Sequence, residues 1–253
     1  MKQFLFILFI LILGFVGACQ TEGEKGQEQD EKMGEVEDTV QRDLSGNTEA
    51  EVEGLKKIVP TGKDVKAVLS RYEDYKAAIL VSNGKGAIEH IDQNSIDYYS
   101  DILNWALNSP KEEVQKLDPV NQFMVLSVRK RISREDVKKM KGKDLLIYTV
   151  DNEWTNKKTV GLTELGEIRK ISDNTIRAAM TVRQEATETF IEFTRENKDA
   201  KWKINLLSLS ENVNDQLARM ANDRSEPVSD LIFDMIKQIT NSKVSEDVWQ
   251  PIK

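Results

Sequence analysis

The stretch "NTIRAAMTVRQEATETFIEFTRENKDAKWKINLLSL", residues 174–209, holds three consecutive runs of period two. Ile176, Ala178, Met180 and Val182 alternate with Arg177, Thr181 and Arg183. Thr189, Ile191 and Phe193 alternate with Glu188, Glu192 and Thr194, and Trp202, Ile204 and Leu206 with Lys203 and Asn205. Successive side chains of a strand point to opposite faces, so this pattern predicts strands with one buried and one wet face. The connections "QEAT" (184–187) and "RENKDA" (195–200) are turn-like, so the runs fold back on one another as a strongly curved antiparallel meander.

Outward from this block the period changes. "DLLIYTV" (144–150) is a strand-like run, and "VGLTELGEIRKI" (160–171) predicts one or two more strands. Further upstream, Val65, Val68, Leu69, Tyr72, Ile79 and Leu80 recur at three- and four-residue steps, predicting a helix over 63–82. "PTGK" (60–63) introduces it and the turn residues of "SNGKG" (82–86) end it. Ile96, Tyr99, Leu103, Ala106 and Leu107 predict a second helix, closed by "NSP" (108–110). Asp118-Pro119, a cap followed by proline at the first helical position, opens a third that runs to Ile132. "SREDVKKM" (133–140) adds a short fourth turn, a mixed-charge face suited to solvent. Downstream, Leu231, Ile232, Met235, Ile236 and Ile239 predict a closing helix over 228–240. The fold class is therefore α+β.

Helices first, then a meander ending in "KWKINLLSL" (201–209), is similar to the NTF2-like cone fold. The resemblance is carried by the apolar run 190–193, the polar turn 195–200 and Trp202-Lys203-Ile204, and it spans about residues 62–209. It implies N-terminal helices packed on a curved antiparallel sheet over an NTF2-like domain at 61–210, with 211–253 added as a C-terminal helical cap. "VWQPI" (248–252) has two readings, a latch that packs Trp249 on the body or a contact for a partner.

The other end of the chain is organised around its single cysteine. Lys2 gives a positive start, Phe4 to Leu13 is uninterruptedly apolar, and small residues follow before Cys19. An apolar core this short falls below the roughly 20 residues a stable membrane helix needs, and it reads as a signal peptide over 1–18. "VGAC", Val16 to Cys19, resembles a bacterial lipobox. The resemblance implies cleavage after Ala18 and lipidation of Cys19, whose thiolate is the nucleophile that takes the diacylglyceryl group. Several acyl chains, such as palmitate, then supply the multiple anchoring signals that one chain lacks. The alternatives are an ordinary signal peptide with an incidental cysteine, or an uncleaved anchor. Gln20 in place of Asp resembles lipoproteins sent to the outer membrane where the host has two membranes.

Residues 19–60 read as an acidic tether. Between Gln20 and Gly54 there are twelve acids against three bases and no aromatic residue. Such a composition buries too little apolar surface to offset the entropy of ordering. About 35 residues of this kind reach roughly 30–35 Å, enough to hold a domain clear of head groups. The acidic net charge of −7 comes from this stretch, which carries −9, since the remainder apart from Lys2 balances to about +1. A near-neutral body without clustered Lys and Arg carries no footprint for nucleic acid, and one cysteine makes no internal disulfide.

Candidates for chemistry are sparse. His90, the only histidine, sits between two helices in "GAIEHIDQ", flanked by Glu89 and Asp92. A general base there needs burial and a partner, and this trio has no metal-ligand spacing. Tyr72, Tyr75, Tyr98, Tyr99 and Tyr148 are candidates for a cavity lining, or for rim and core packing. "NGKG" (83–86) lacks the glycine spacing of a phosphate loop. The expectation is a lipid-anchored envelope protein, non-catalytic and without cofactor or metal, that binds a small ligand or a protein partner. The alternatives are an acid–base enzyme using Asp92, His90 or a tyrosine inside the cone, and a structural or stress-related envelope factor.

Overall fold

The computed structural model describes residues 60–240 and 243–252. The expected signal peptide, Cys19 and all of the tether except Pro60 lie outside the described residues. Alternation builds the sheet as expected: β1 (Thr163–Ser172), β2 (Thr175–Val182), β3 (Glu185–Thr194) and β4 (Lys203–Asn205) form an antiparallel meander in the order β1-β2-β3-β4. Ile176 pairs with Phe193 and Ala178 with Ile191, all four buried. On the opposite face Arg177 donates to Glu192 at 2.7 Å and stacks over the Phe190 ring. Burying an Ile or Phe contributes roughly 1.5–3 kcal/mol, whereas a surface ion pair contributes about 0–1 kcal/mol. The inward face therefore sets the register, since a one-residue slip would turn it outward.

Two details of the meander differ from the sequence expectation. The β2–β3 connection is only Arg183-Gln184, with Val182 paired to Glu185, so "QEAT" lies mostly in strand. Leu206 does not extend β4; residues Leu206–Leu209 wind into a 3₁₀ turn, and the Ser208 hydroxyl accepts the Glu192 N–H. The outer edge of β4 is covered as well. Ile204 N–H donates to the His90 carbonyl (2.8 Å) and Asp92 N–H to the Ile204 carbonyl (2.9 Å), so the edge offers no free template there.

The helices before the sheet are α1 (Gly62–Leu80), α2 (Gly84–Ile88), α3 (Gln93–Asn108), α4 (Lys111–Val114), α5 (Pro119–Arg131), α6 (Arg134–Lys139), α7 (Gly142–Asp151) and α8 (Lys157–Gly161). After it come α9 (Ser210–Asp223) and α10 (Val228–Thr240). Side chains of Thr61, Asn83, Asp92 and Ser133 accept the orphan N–H groups at the starts of α1, α2, α3 and α6. The inward stripe of α1 is Val68, Tyr72 and Ile79, while Leu69 and Leu80 face solvent.

The run 144–150 is not a strand but most of α7. Leu145, Leu146, Thr149 and Val150 are buried, a one-then-four spacing that belongs to a helix face rather than to a pleat. Lys141 N–H donates to the Asp144 carboxylate at the helix start. Gly142 and Gly84 let α7 approach its neighbours closely: a Cβ at Gly142 would overlap the Ser100 hydroxyl and the Ile96 carbonyl of α3, and one at Gly84 the Ile147 carbonyl.

Two apolar cores result. In the first, Val68, Tyr72 and Ile79 of α1 and Leu146 and Val150 of α7 cover the inward sheet face, with Trp202 at one end. Asp64 on α1 accepts from Trp202 Nε1 (3.3 Å) and Arg195 Nη1 (3.2 Å), tying that end to the helix. The second core is helical and joins α3, α5, α9 and α10 through Ile102, Leu126, Leu217, Leu231 and Ile236. Trp249 packs into this core, stacked on Phe233 at 6.3 Å, so "VWQPI" latches onto the body. Residues 211–240 and 243–252 thus share one core with α3 and α5. No helix among the described residues is long and apolar enough to cross a membrane.

Candidate functional site

Asp92 and His90, the acid–base candidates, are both engaged. The Asp92 carboxylate accepts from Ser95 N–H (2.9 Å), the Ser95 hydroxyl (2.6 Å) and the Thr194 hydroxyl (3.1 Å). It caps α3 and ties that helix to β3. His90 Nδ1 lies 2.6 Å from Arg71 Nη1. A guanidinium only donates, so Nδ1 accepts and the ring proton sits on Nε2. Burial and the Arg71 charge push the imidazole below its ordinary value, against the pull of Asp74. Glu89 is exposed, and no group of three potential metal ligands occurs among the described residues.

Four of the five tyrosines converge elsewhere. Tyr72, Tyr75 and Ile79 fall at steps of three and four on α1 and share one face. With Lys76 they line one wall of a cavity of about 150 Å³. Tyr98 and Tyr99 of α3 reach it from the helical side, joined by Val120 and Met124 of α5. Met180 and Ile191 form the sheet wall, and Leu209 and Val213 line it from the segment after the sheet. The cavity therefore lies at the seam between the two cores. Tyr148 takes no part, packing edge-on against Trp154 at 6.1 Å.

The polar groups of this cavity are mostly spoken for. The Thr163 hydroxyl donates to the Val160 carbonyl (2.8 Å), so the contact of 2.6 Å with Tyr72 Oη has the phenol as donor. Lys76 Nζ donates to the Thr163 carbonyl at 2.7 Å, and Tyr98 Oη to Asn121 Oδ1 at 2.8 Å. Tyr99 is paired with Thr149. Tyr75 and Thr155 are the exceptions, neither hydroxyl having a hydrogen-bond partner among the described residues; the electrostatic neighbours of Tyr75 are Tyr99 and Tyr72. Burial raises the Tyr72 phenol to about 12 and pushes Tyr75 and Tyr98 well above the ordinary tyrosine value. These phenols stay protonated and act as donors. Lys76 is the one charged side chain among the described lining residues, and no carboxylate joins it.

The tyrosines were visible in the sequence as candidates, through the Tyr72–Tyr75 step and the Tyr98-Tyr99 pair. Lys76, Met180 and Val213 were not, because only the fold carries α1, the sheet and α9 to one place. Compared with models of known protein families, with curated proteins and with solved structures, the chain matches none of them.

Proposed function

We propose that this protein is a bacterial lipoprotein, held at the cell envelope through Cys19, whose folded part is a non-catalytic, cone-like module that binds a small ligand. The observation that supports binding most directly is the cavity itself, apolar in its walls and lined by the Tyr75 hydroxyl, which has no protein partner among the described residues. Support for a non-catalytic role comes from the lining: phenols locked in the protonated form and an ammonium offer no base for neutral pH. Asp92 and His90 do not line the cavity. The "VGAC" motif supports the anchor, and Gln20 supports the outer membrane as destination in a two-membrane host.

The anchor is tested by Cys19→Ser. The expected result is loss of the acyl mass and release of the protein from the membrane fraction. A variant that keeps both would end the lipoprotein reading. Binding is tested by thermal unfolding of the full-length protein in detergent with toluene, benzoate and acetate at millimolar levels. At least one ring compound is expected to raise Tm while acetate does not. No shift with either ring compound would remove the ligand-binding reading.

A further inference from the structure

We propose, resting on the ligand-binding reading above, that the cavity takes a compact, single-ring aromatic carboxylate. Size sets the first limit. A cavity of about 150 Å³ is the class of space that holds one benzene-sized ring.

The walls set the second. Met180, Ile191, Leu209 and Val213 present carbon, and Tyr98 and Tyr99, themselves edge-to-face at 5.7 Å, present rings. A flat aromatic body meets such rings in offset or edge-on contact, worth more than its area alone. Thioether contacts from Met180 and Met124 favour the same shape.

The polar end sets the third. Tyr72 Oη and Lys76 Nζ meet at the two oxygens of Thr163, and the partnerless Tyr75 hydroxyl has Tyr72 as a neighbour. The Tyr75 hydroxyl is a donor at the cavity wall that no described protein group accepts from. Lys76 spends one of its three N–H donors on the Thr163 carbonyl and meets no carboxylate in the lining. An acceptor carrying a negative charge suits a phenol donor and an ammonium alike, and a charge-assisted bond is about twice as strong as a neutral one. A cationic ligand would face the Lys76 ammonium with no carboxylate in the cavity lining to offset it; Glu73 and Glu164 act near Tyr72 from outside that lining.

The test titrates the full-length protein in detergent with benzoate, toluene and benzylammonium, by calorimetry and by ligand-observed NMR. Benzoate is expected to bind at least about tenfold more tightly than toluene, and benzylammonium not at all. Lys76→Gln, which keeps a donor for Thr163 but removes the charge, should weaken benzoate about tenfold and leave toluene unchanged. Tyr75→Phe should weaken benzoate several-fold. A substitution that lowers Tm without ligand is read through the toluene control, which reports an intact cavity. If toluene binds as tightly as benzoate, or Lys76→Gln leaves benzoate unaffected, the carboxylate assignment is wrong while the binding module stands. If neither ring compound binds, both fail together. Binding that persists undiminished in Val213→Phe, with no NMR contact to Met180, would place the ligand elsewhere and overturn the proposal.

Discussion

Arg129 Nη1 donates to the backbone carbonyl of Trp249 at 2.7 Å, so a side chain of α5 holds the C-terminal latch by its main chain. The rest of the guanidinium is equally committed, to the carbonyls of Ala106, Trp105, Ser109 and Val248. All five N–H donors of the fork are used, and every acceptor is a peptide oxygen at the end of α3 or in the latch. Burial lowers this guanidinium to about 10, still charged at neutral pH. Arg129→Met should destabilise the protein by about 2–4 kcal/mol. Arg129→Lys should recover only part of that, because an ammonium cannot reproduce a planar fork. Urea unfolding of the three proteins decides it. A loss below about 0.5 kcal/mol for Arg129→Met would make these bonds incidental.

The β2–β3 hairpin turns on Arg183 and Gln184, with φ of 52° and 66°. Two positive φ values at the centre of a two-residue loop make a type I′ turn, whose twist matches the flanking strands. Neither residue favours that region, and glycine at the second position would remove the Cβ penalty. Gln184→Gly is expected to stabilise by about 0.5–1 kcal/mol despite the added chain entropy of the unfolded state. The urea midpoint should rise with an unchanged slope. A fall in midpoint would mean that the Gln184 side chain contributes more than its backbone strain costs.

The same hairpin shows where sequence reading works. Alternation from Ile176 to Val182 and from Thr189 to Phe193 found the inward face residue by residue, because period two is a local property of the chain. The helix starts at Asp118-Pro119 and Ser133 were also legible, since proline at the first turn and a serine cap are local chemistry, although the Asp118 side chain makes no cap bond; the cap at Asp92 was missed. The failure at 144–150 has a physical cause. A helix packed on both α2 and α3 buries much of its surface, and the apolar run 145–148 then carries no period. The cavity was legible only as its tyrosines. Its other walls come from residues more than a hundred positions apart, Tyr75 and Met180 among them, and no local pattern links those.

Gly142 marks the correction, and it also tests it. As the first residue of α7 it lies against Ser100 and the Ile96 carbonyl of α3, where a methyl group would overlap both. Ala favours helices by about 1 kcal/mol over Gly, so on propensity alone Gly142→Ala would stabilise. The close approach reverses the sign. Separating α7 from α3 disturbs Leu145 and Leu146, which belong to different cores, at a cost of about 1–3 kcal/mol. A stabilised Gly142→Ala protein would show that the two helices do not pack this closely.

His90 supplies the pH dependence. It faces Arg71 at 2.6 Å, with Lys203 on the same side and Asp74 and Glu89 as the opposing charges. Protonating Nδ1 would forfeit the Arg71 bond and set two cations side by side, so the folded-state value lies below the ordinary 6.5. The unfolded chain therefore takes up the proton first as pH falls. Between about 6.5 and the lower folded value it binds more protons than the folded protein does, and stability rises with pH across that window. The segment concerned, 90–92, also covers the edge of β4, so opening it exposes Ile204. His90→Gln removes the titration but keeps a side-chain acceptor within reach of Arg71. Urea midpoints measured every half unit from pH 7.5 to 5 should diverge below about 6.5, the parent falling faster than the variant. Parallel curves across that range would mean that the imidazole titrates alike in both states and that the Arg71 contact has no energetic weight.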